Sequence, residues 1–219
     1  MPLNPLYHAD FYEGGIFHVY NRSNNKDELF RSDKDRLFFL SQYAKYLHPM
    51  AETLCWSLLP NHFHFLIRIR EANEITATLQ RNTSRLKDAE KRFLACTCTL
   101  NELIEQEWRY FFTVYSMVYN KQYGRKGNLL HRPFKRLEIN KDTHLTQAIV
   151  YIHANAVHHS LVNDLKTYKW SSWHSMLSSK STMLNREYVI NLFGGRQEFI
   201  DVHLAMSKVY SEQTFIPDE

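Results

Sequence analysis

HFHFLIRIR, residues 62–70, decides the fold. Its side chains alternate with a period of two, the period of a β-strand. Phe63, Phe65, Ile67 and Ile69 fall on one face; His62, His64, Leu66, Arg68 and Arg70 fall on the other. The apolar face is built to pack on helices, so Phe63 and Phe65 are expected in a core, with His62 and His64 accessible on the reverse. If the histidines instead lie in the core, the argument for a metal site built on them fails. Just upstream, residues 54–59 read as a buried strand, and Pro60-Asn61 reads as the tight turn that follows it.

Working outward, residues 16–22 (IFHVYNR) are β-branched and aromatic and read as a further strand. A polar turn follows at 21–27. Ser32 with Asp35 three residues on is a capping-box pattern. It precedes Leu37, Phe38, Leu40, Tyr43, Ala44 and Leu47, spaced as one helix face that ends at His48-Pro49. Downstream, 74–119 reads as helix in two or three pieces, with no Gly or Pro between Glu74 and Asn120 to force a break. Residues 134–139 read as a strand. Asp142 caps a helix from Thr143 to His158 or His159. A last helical pattern lies near 187–193 or 197–210. The order strand, helix, strand, strand, helix, strand, helix is the ferredoxin-like split βαβ plan. It predicts an α+β fold: an antiparallel sheet with helices on one face, plus an added helix.

The length of 219 residues fits one large domain or one domain with an appendage; the net charge is +4 and 44% of the residues are apolar. No apolar run approaches the ~20 residues of a spanning helix. The N-terminal stretch lacks the basic and apolar regions of a secretory signal. Three cysteines cannot build a disulfide framework. A cytoplasmic protein without a membrane partner is expected.

Three clusters carry chemistry. His62 and His64, at i and i+2 on a strand, share a face and can reach one ion; two solvent-facing histidines are the plainer alternative. Tyr151 and Asn155 stand at i and i+4 on a helix, one above the other, with His153 pointing off that face. By themselves they read as a packing residue and a C-cap. Residues 121–136 (KQYGRKGNLLHRPFKR) hold six Lys or Arg, no acid, and interleaved aromatics. That composition suits nucleic acid, where Lys and Arg meet phosphates and rings stack on unpaired bases; a solvated loop is the alternative. Tyr115 and Tyr119 form a second i,i+4 tyrosine pair. They are rival nucleophiles, more easily read as packing against the sheet.

LLPNHFHFL (58–66) resembles the signature of the IS200-like single-tyrosine HUH transposases. HVYNRSNNKDELF (18–30), GRKGNLLHRPFKR (124–136) and YIHANAVHHSLV (151–162) followed by WSSW (170–173) resemble, in the same order, the branch of REP-associated tyrosine transposases. The resemblance covers about residues 15–70 and 110–175. It implies that His62 and His64 bind a divalent ion, Mg²⁺ or Mn²⁺, with Asn155 as third ligand and Tyr151 as nucleophile. Asn155-Ala156-Val157 departs from the family's Asn-Pro-Val but removes no functional group. The implied organisation is a catalytic domain over 1–175, with a helical insertion at 71–108, and a helical extension over 176–219. The insertion is a candidate for DNA recognition or for the contacts of a homodimer.

The reaction so implied is transesterification of single-stranded or hairpin DNA through a 5′-phosphotyrosine. Arg125, Lys126, Arg132, Lys135 and Arg136 are expected on a phosphate-binding surface, extended by Arg68 and Arg70 from the histidine face. Two rival classes stay open. One is a domesticated protein that binds hairpin DNA or RNA without cutting it. The other is a metal-dependent hydrolase of small phosphoesters, which leaves the basic segment unexplained.

Overall fold

A computed structural model describes residues 5–212. Strands β1 (Ile16–Arg22), β2 (Ala51–Leu58), β3 (His62–Ile69) and β4 (Lys135–Glu138) form one sheet in the order β2-β3-β1-β4. Every neighbouring pair is antiparallel. The α+β, ferredoxin-like expectation is met. Strand β2 starts three residues before the expected position, because Ala51 and Glu52 pair with Ile69 and Arg68 across a register shift between Thr53 and Cys55.

Helix α1 (Asp33–Leu47) begins at the capping box read in the sequence: Ser32 Oγ accepts from Asp35 N–H, and Asp35 Oδ2 accepts from Ser32 N–H at 2.8 Å. Helix α1 and the long α4 (Leu100–Gln122) cover the phenylalanine face of β3. Phe39 meets Phe63 and Phe111 at ring distances of 5.0 and 4.6 Å, and Tyr43 stacks on Phe65 at 3.9 Å. Phe63 and Phe65 are fully buried, each burial contributing about 1.5–3 kcal/mol relative to exposure.

Between β3 and α4 lie α2 (Ala72–Gln80) and α3 (Asp88–Leu94). No Gly or Pro interrupts this stretch, yet the helices break. The signal for the second break is a capping box at Thr99, whose N–H is held by Glu102 Oε2 at 2.7 Å. Helix α3 docks on α4 through Lys87, which bonds Glu90 at 2.9 Å and also Glu107. Burial pushes the Glu107 carboxyl up to about 7, against the pull of Lys87.

The reverse face of the sheet is covered too. Helix α5 (Asp142–His158) lies across it, and α6 (Trp173–Leu177), α7 (Arg186–Leu192) and α8 (Arg196–Glu212) lie around α5. A helix packed on both sides is apolar all round, and Leu145, Ile149, Val150, Ile152 and Ala156 are buried accordingly. So helices occupy both faces: the α1/α4 pair on one, the added helix and the chain after it on the other. Trp173 stacks on Phe199 at 5.2 Å, so residues on either side of position 175 share this second core. No described helix is long and apolar enough to cross a membrane.

A chain of buried polar groups runs through this second core. His203 Nδ1–H donates to the Phe199 carbonyl at 2.7 Å, so its Nε2 accepts from His153 Nδ1–H at 2.9 Å. His153 Nε2 then accepts from Ser172 Oγ–H at 2.7 Å, and Ser172 Oγ accepts from Trp56 N–H at 2.9 Å. Each donor has an acceptor when both imidazoles are neutral. Burial pushes His203 down to about 4 and His153 well below the usual histidine range.

Candidate active site

Strands β1 and β3 and helix α5 bring the predicted residues together. Tyr20 pairs with His64, and Arg22 with His62, so these four side chains share the sheet face beneath α5. Tyr151 and Asn155, one turn apart on α5, both face that surface. His62 Nε2 lies 3.2 Å from Asn155 Oδ1, across 93 residues of sequence. The His62 and His64 rings are 5.1 Å apart and nearly perpendicular, and Tyr151 stands edge-on to His64 at 5.8 Å. His153, expected off this face, points away from it into the second core.

The expectation that both histidines are accessible holds for His62 alone. His64 is fully buried, the outcome that counts against a metal site in the form first stated. The physical reason is α5, which roofs a sheet face that the alternation alone presents as open. Yet His64 does not lie in an apolar core. Its neighbours are His18, Tyr20, His62 and Tyr151, a layer of polar rings between sheet and helix.

The donor set fits a divalent cation. Asn61 Oδ1 accepts from His62 Nδ1–H at 2.7 Å, which puts the lone pair of His62 on Nε2. That lone pair faces the acceptor Asn155 Oδ1, while Asn155 Nδ2 is buried with no hydrogen-bond partner. Turning the amide over would let it donate to His62 and strand its oxygen instead. Two donor atoms about 2.1 Å from one octahedral ion and at right angles lie about 3.0 Å apart, close to the spacing here. Two imidazoles and an amide oxygen leave coordination positions for phosphate and water. Among the described residues no group of three His, Cys, Asp or Glu forms a metal cluster, because the third donor here is an amide.

Beside His62 opens a cleft of about 400 Å³. Arg22, Arg132 and Lys135 supply its charge, and Tyr20, Asn21, Asn61, His8, His131 and His159 line it with ring and amide groups. No carboxylate lies among its lining residues. Burial, then the neighbouring Arg22, hold the His131 imidazole below the usual range, with Lys135 adding to the effect. Such a cleft attracts a polyanion. Tyr151 itself is buried, 1% exposed, and is not among the residues lining this cleft.

Of the seven basic residues predicted on the phosphate surface, Arg132 and Lys135 line this cleft, and Lys126 is exposed on the loop before it. The other four are committed elsewhere. Arg136 is buried on the α4 side, bonding Glu105 at 2.6 Å and the Ala9 carbonyl, because β4 turns alternate residues to opposite faces. Arg125 binds Asp27 at 2.8 Å and the carbonyls of 126–128, and so shapes the basic loop from inside. Gly127 makes that loop possible, with a φ of +85°. Arg68 and Arg70 share Glu52 as partner near the far end of β3; the six steps from His62 to Arg68 span about 20 Å. Arg68 also lies over the Tyr188 ring.

Tyr115 and Tyr119 are not in this site. Both are buried on the opposite sheet face, donating to the Leu29 and Glu28 carbonyls at 2.5 Å, and burial raises both phenols above the usual range. Site residues missed in the sequence include Arg22 and Asn61, with His18, Tyr20, His158 and His159. His18 and Tyr20 were legible in the period-two pattern of residues 16–22, which puts both on one strand face. His159 packs on His62 at 4.8 Å and His158 lies 6.3 Å from Tyr151; two histidines just past Asn155 gave no distinguishing pattern.

No protein-family model matches the chain. A curated protein of Haemophilus influenzae, named "Putative REP-associated tyrosine transposase", is 24% identical over 168 residues, 77% of this chain and 85% of the relative. A solved structure described as a REP-associated tyrosine transposase bound to a REP hairpin superposes with a TM-score of 0.50 at 16% identity. It covers 79% of this chain and 85% of that one. The chain is thus similar in sequence to one REP-associated tyrosine transposase and in fold to another, as the motifs implied.

Proposed function

We propose that this chain is a metal-dependent single-stranded DNA transesterase of the transposase kind. It cuts and joins hairpin-associated DNA through a 5′-phosphotyrosine on Tyr151. The observation that carries this reading is the convergence of Tyr151 and Asn155, one helical turn apart on α5, over His62 and His64 on β3. Hairpin DNA is the substrate class because the fold relative is described with a REP hairpin bound and because the adjoining cleft is cationic.

Arg22, Arg132 and Lys135 draw the sugar–phosphate backbone into the cleft. His62, His64 and Asn155 would hold a Mg²⁺ or Mn²⁺, which would supply charge stabilisation to the scissile phosphate. Asn61 keeps His62 in the tautomer that presents Nε2. Tyr151 Oη attacks phosphorus; the Oη–P bond forms as the P–O3′ bond breaks. The phenolic proton is lost to solvent, and the departing 3′-oxygen takes up a proton. One ester replaces another, so a second 3′-hydroxyl can reverse the step and join strands without a nucleoside triphosphate.

The test is a denaturing gel of labelled hairpin DNA incubated with protein and Mn²⁺. Wild type should give a covalent protein–DNA band and Tyr151→Phe none, while Tyr115→Phe and Tyr119→Phe retain it. His62→Ala and Asn155→Ala should cut the yield. Hairpin binding with no adduct from wild type would overturn this reading in favour of a binding protein.

A further inference from the structure

We infer that His18 is a positioning residue: it holds His64 in the tautomer that can bind an ion. The inference rests on the proposed reading of His62, His64 and Asn155 as ligands.

His18 stands in the middle of β1 on the face shared with Tyr20, almost fully buried. Its Nε2 lies 2.9 Å from His64 Nδ1, and its ring stacks on Tyr20 at 4.9 Å. The His18–His64 bond engages Nδ1 of His64, so an ion can take that ring only through Nε2. An imidazole ligates through a lone pair. His64 must then carry its hydrogen on Nδ1 and donate it to His18 Nε2, and His18 must carry its own hydrogen on Nδ1. In the reverse arrangement His18 donates, His64 carries its hydrogen on Nε2, and an N–H points where a ligand is needed. The same 2.9 Å contact serves both states, yet one of them binds no metal.

The two histidines are thus set by unlike partners. His62 gives its Nδ1–H to the oxygen of the Asn61 side-chain amide, which only accepts. The partner of His64 is an imidazole, which can accept or donate. Ligating histidines commonly donate their second nitrogen to a carboxylate or a carbonyl, and loss of such a partner costs 10–100-fold in metal affinity.

Substitution separates this role from packing. His18→Phe keeps a ring against Tyr20 and removes the acceptor; His18→Gln loses the ring and keeps an oxygen near the position of Nε2. Mn²⁺ binding to the DNA-free protein is read by the loss of the free-ion electron spin resonance signal, with thermal melting in chelator as the check on folding. His18→Phe should weaken Mn²⁺ binding about 10–100-fold while still melting cooperatively, a few degrees below wild type because His64 Nδ1 loses its partner, and His18→Gln should lie closer to wild type in affinity. A purely packing role predicts the opposite order and would overturn the inference. His64→Ala is the control. Loss of Mn²⁺ binding there with none in His18→Phe sinks the role of His18 alone; wild-type binding in His64→Ala sinks the ligand reading with it. Should His18→Phe fail to fold, long-range ¹H–¹⁵N correlation on the metal-free wild type decides. The inference requires the Nδ1–H form of His64, and the Nε2–H form refutes it.

Discussion

The hydrogen-bond chain Phe199–His203–His153–Ser172–Trp56 has no place for another proton. A proton added to His203 would turn its Nε2 into a donor facing the donor on His153. Burial accordingly holds His203 at about 4, against 6.5 for an open histidine. The sign follows from linkage: below pH 6.5 the unfolded chain takes up a proton that the folded chain refuses, so stability is full above 6.5 and falls as pH drops towards 4. At about 1.36 kcal/mol per pH unit, the whole window removes about 3 kcal/mol. His203→Gln removes the titrating group and leaves an oxygen to accept from His153. Urea unfolding at steps between pH 7 and 4.5 checks this. Wild type should lose about 2.5 kcal/mol more than His203→Gln over that range, whatever the other histidines contribute to both. Parallel stability curves for the two proteins would refute the proton-excluding chain.

Salt titration of hairpin binding should give a slope smaller by about 1 in each of Arg132→Ala and Lys135→Ala, one phosphate contact apiece. Arg136→Ala should leave that slope unchanged and lower stability by about 1.5–3 kcal/mol, since a buried guanidinium loses its bonds to Glu105 and the Ala9 carbonyl while Glu105 keeps Arg109; this is read by chemical denaturation. Phe63→Ala removes a fully buried ring packed on Phe39 and should cost about 3–5 kcal/mol in the same assay. Tyr115→Phe deletes one buried hydrogen bond, worth about 1 kcal/mol, and should leave adduct formation on the gel intact.

The fold was legible wherever a local rule and the tertiary packing agree. Residues 62–70 show their two faces in the sequence, and Ser32 and Asp35 mark the start of α1 to the residue. Tyr151 and Asn155 were legible as an i,i+4 pair, and the resemblance supplied their roles. The cover over His64 was not legible, because alternation tells which side chains share a face and not what lies against it. The fate of Arg136 was partly legible: strand parity separates it from Lys135, but a reading of the segment by total charge hid the difference. The break before α4 was written as Thr99 and Glu102 rather than as Gly or Pro.

One strand separates two layers of unlike purpose. Even-numbered positions at the start of β3 serve the polar site under α5, and odd-numbered ones serve the aromatic core under α1 and α4. Reading frame, in a geometric sense, is therefore shared by stability and chemistry. Losing one residue within β3 would send Phe rings towards α5 and imidazoles into the aromatic core together, because a shift of one inverts every side chain beyond it. Either row tolerates substitution on its own terms, but neither can change length without the other. Residues 81–87 and 95–99, which connect helices and hold no residue of the site, can change length without turning either row.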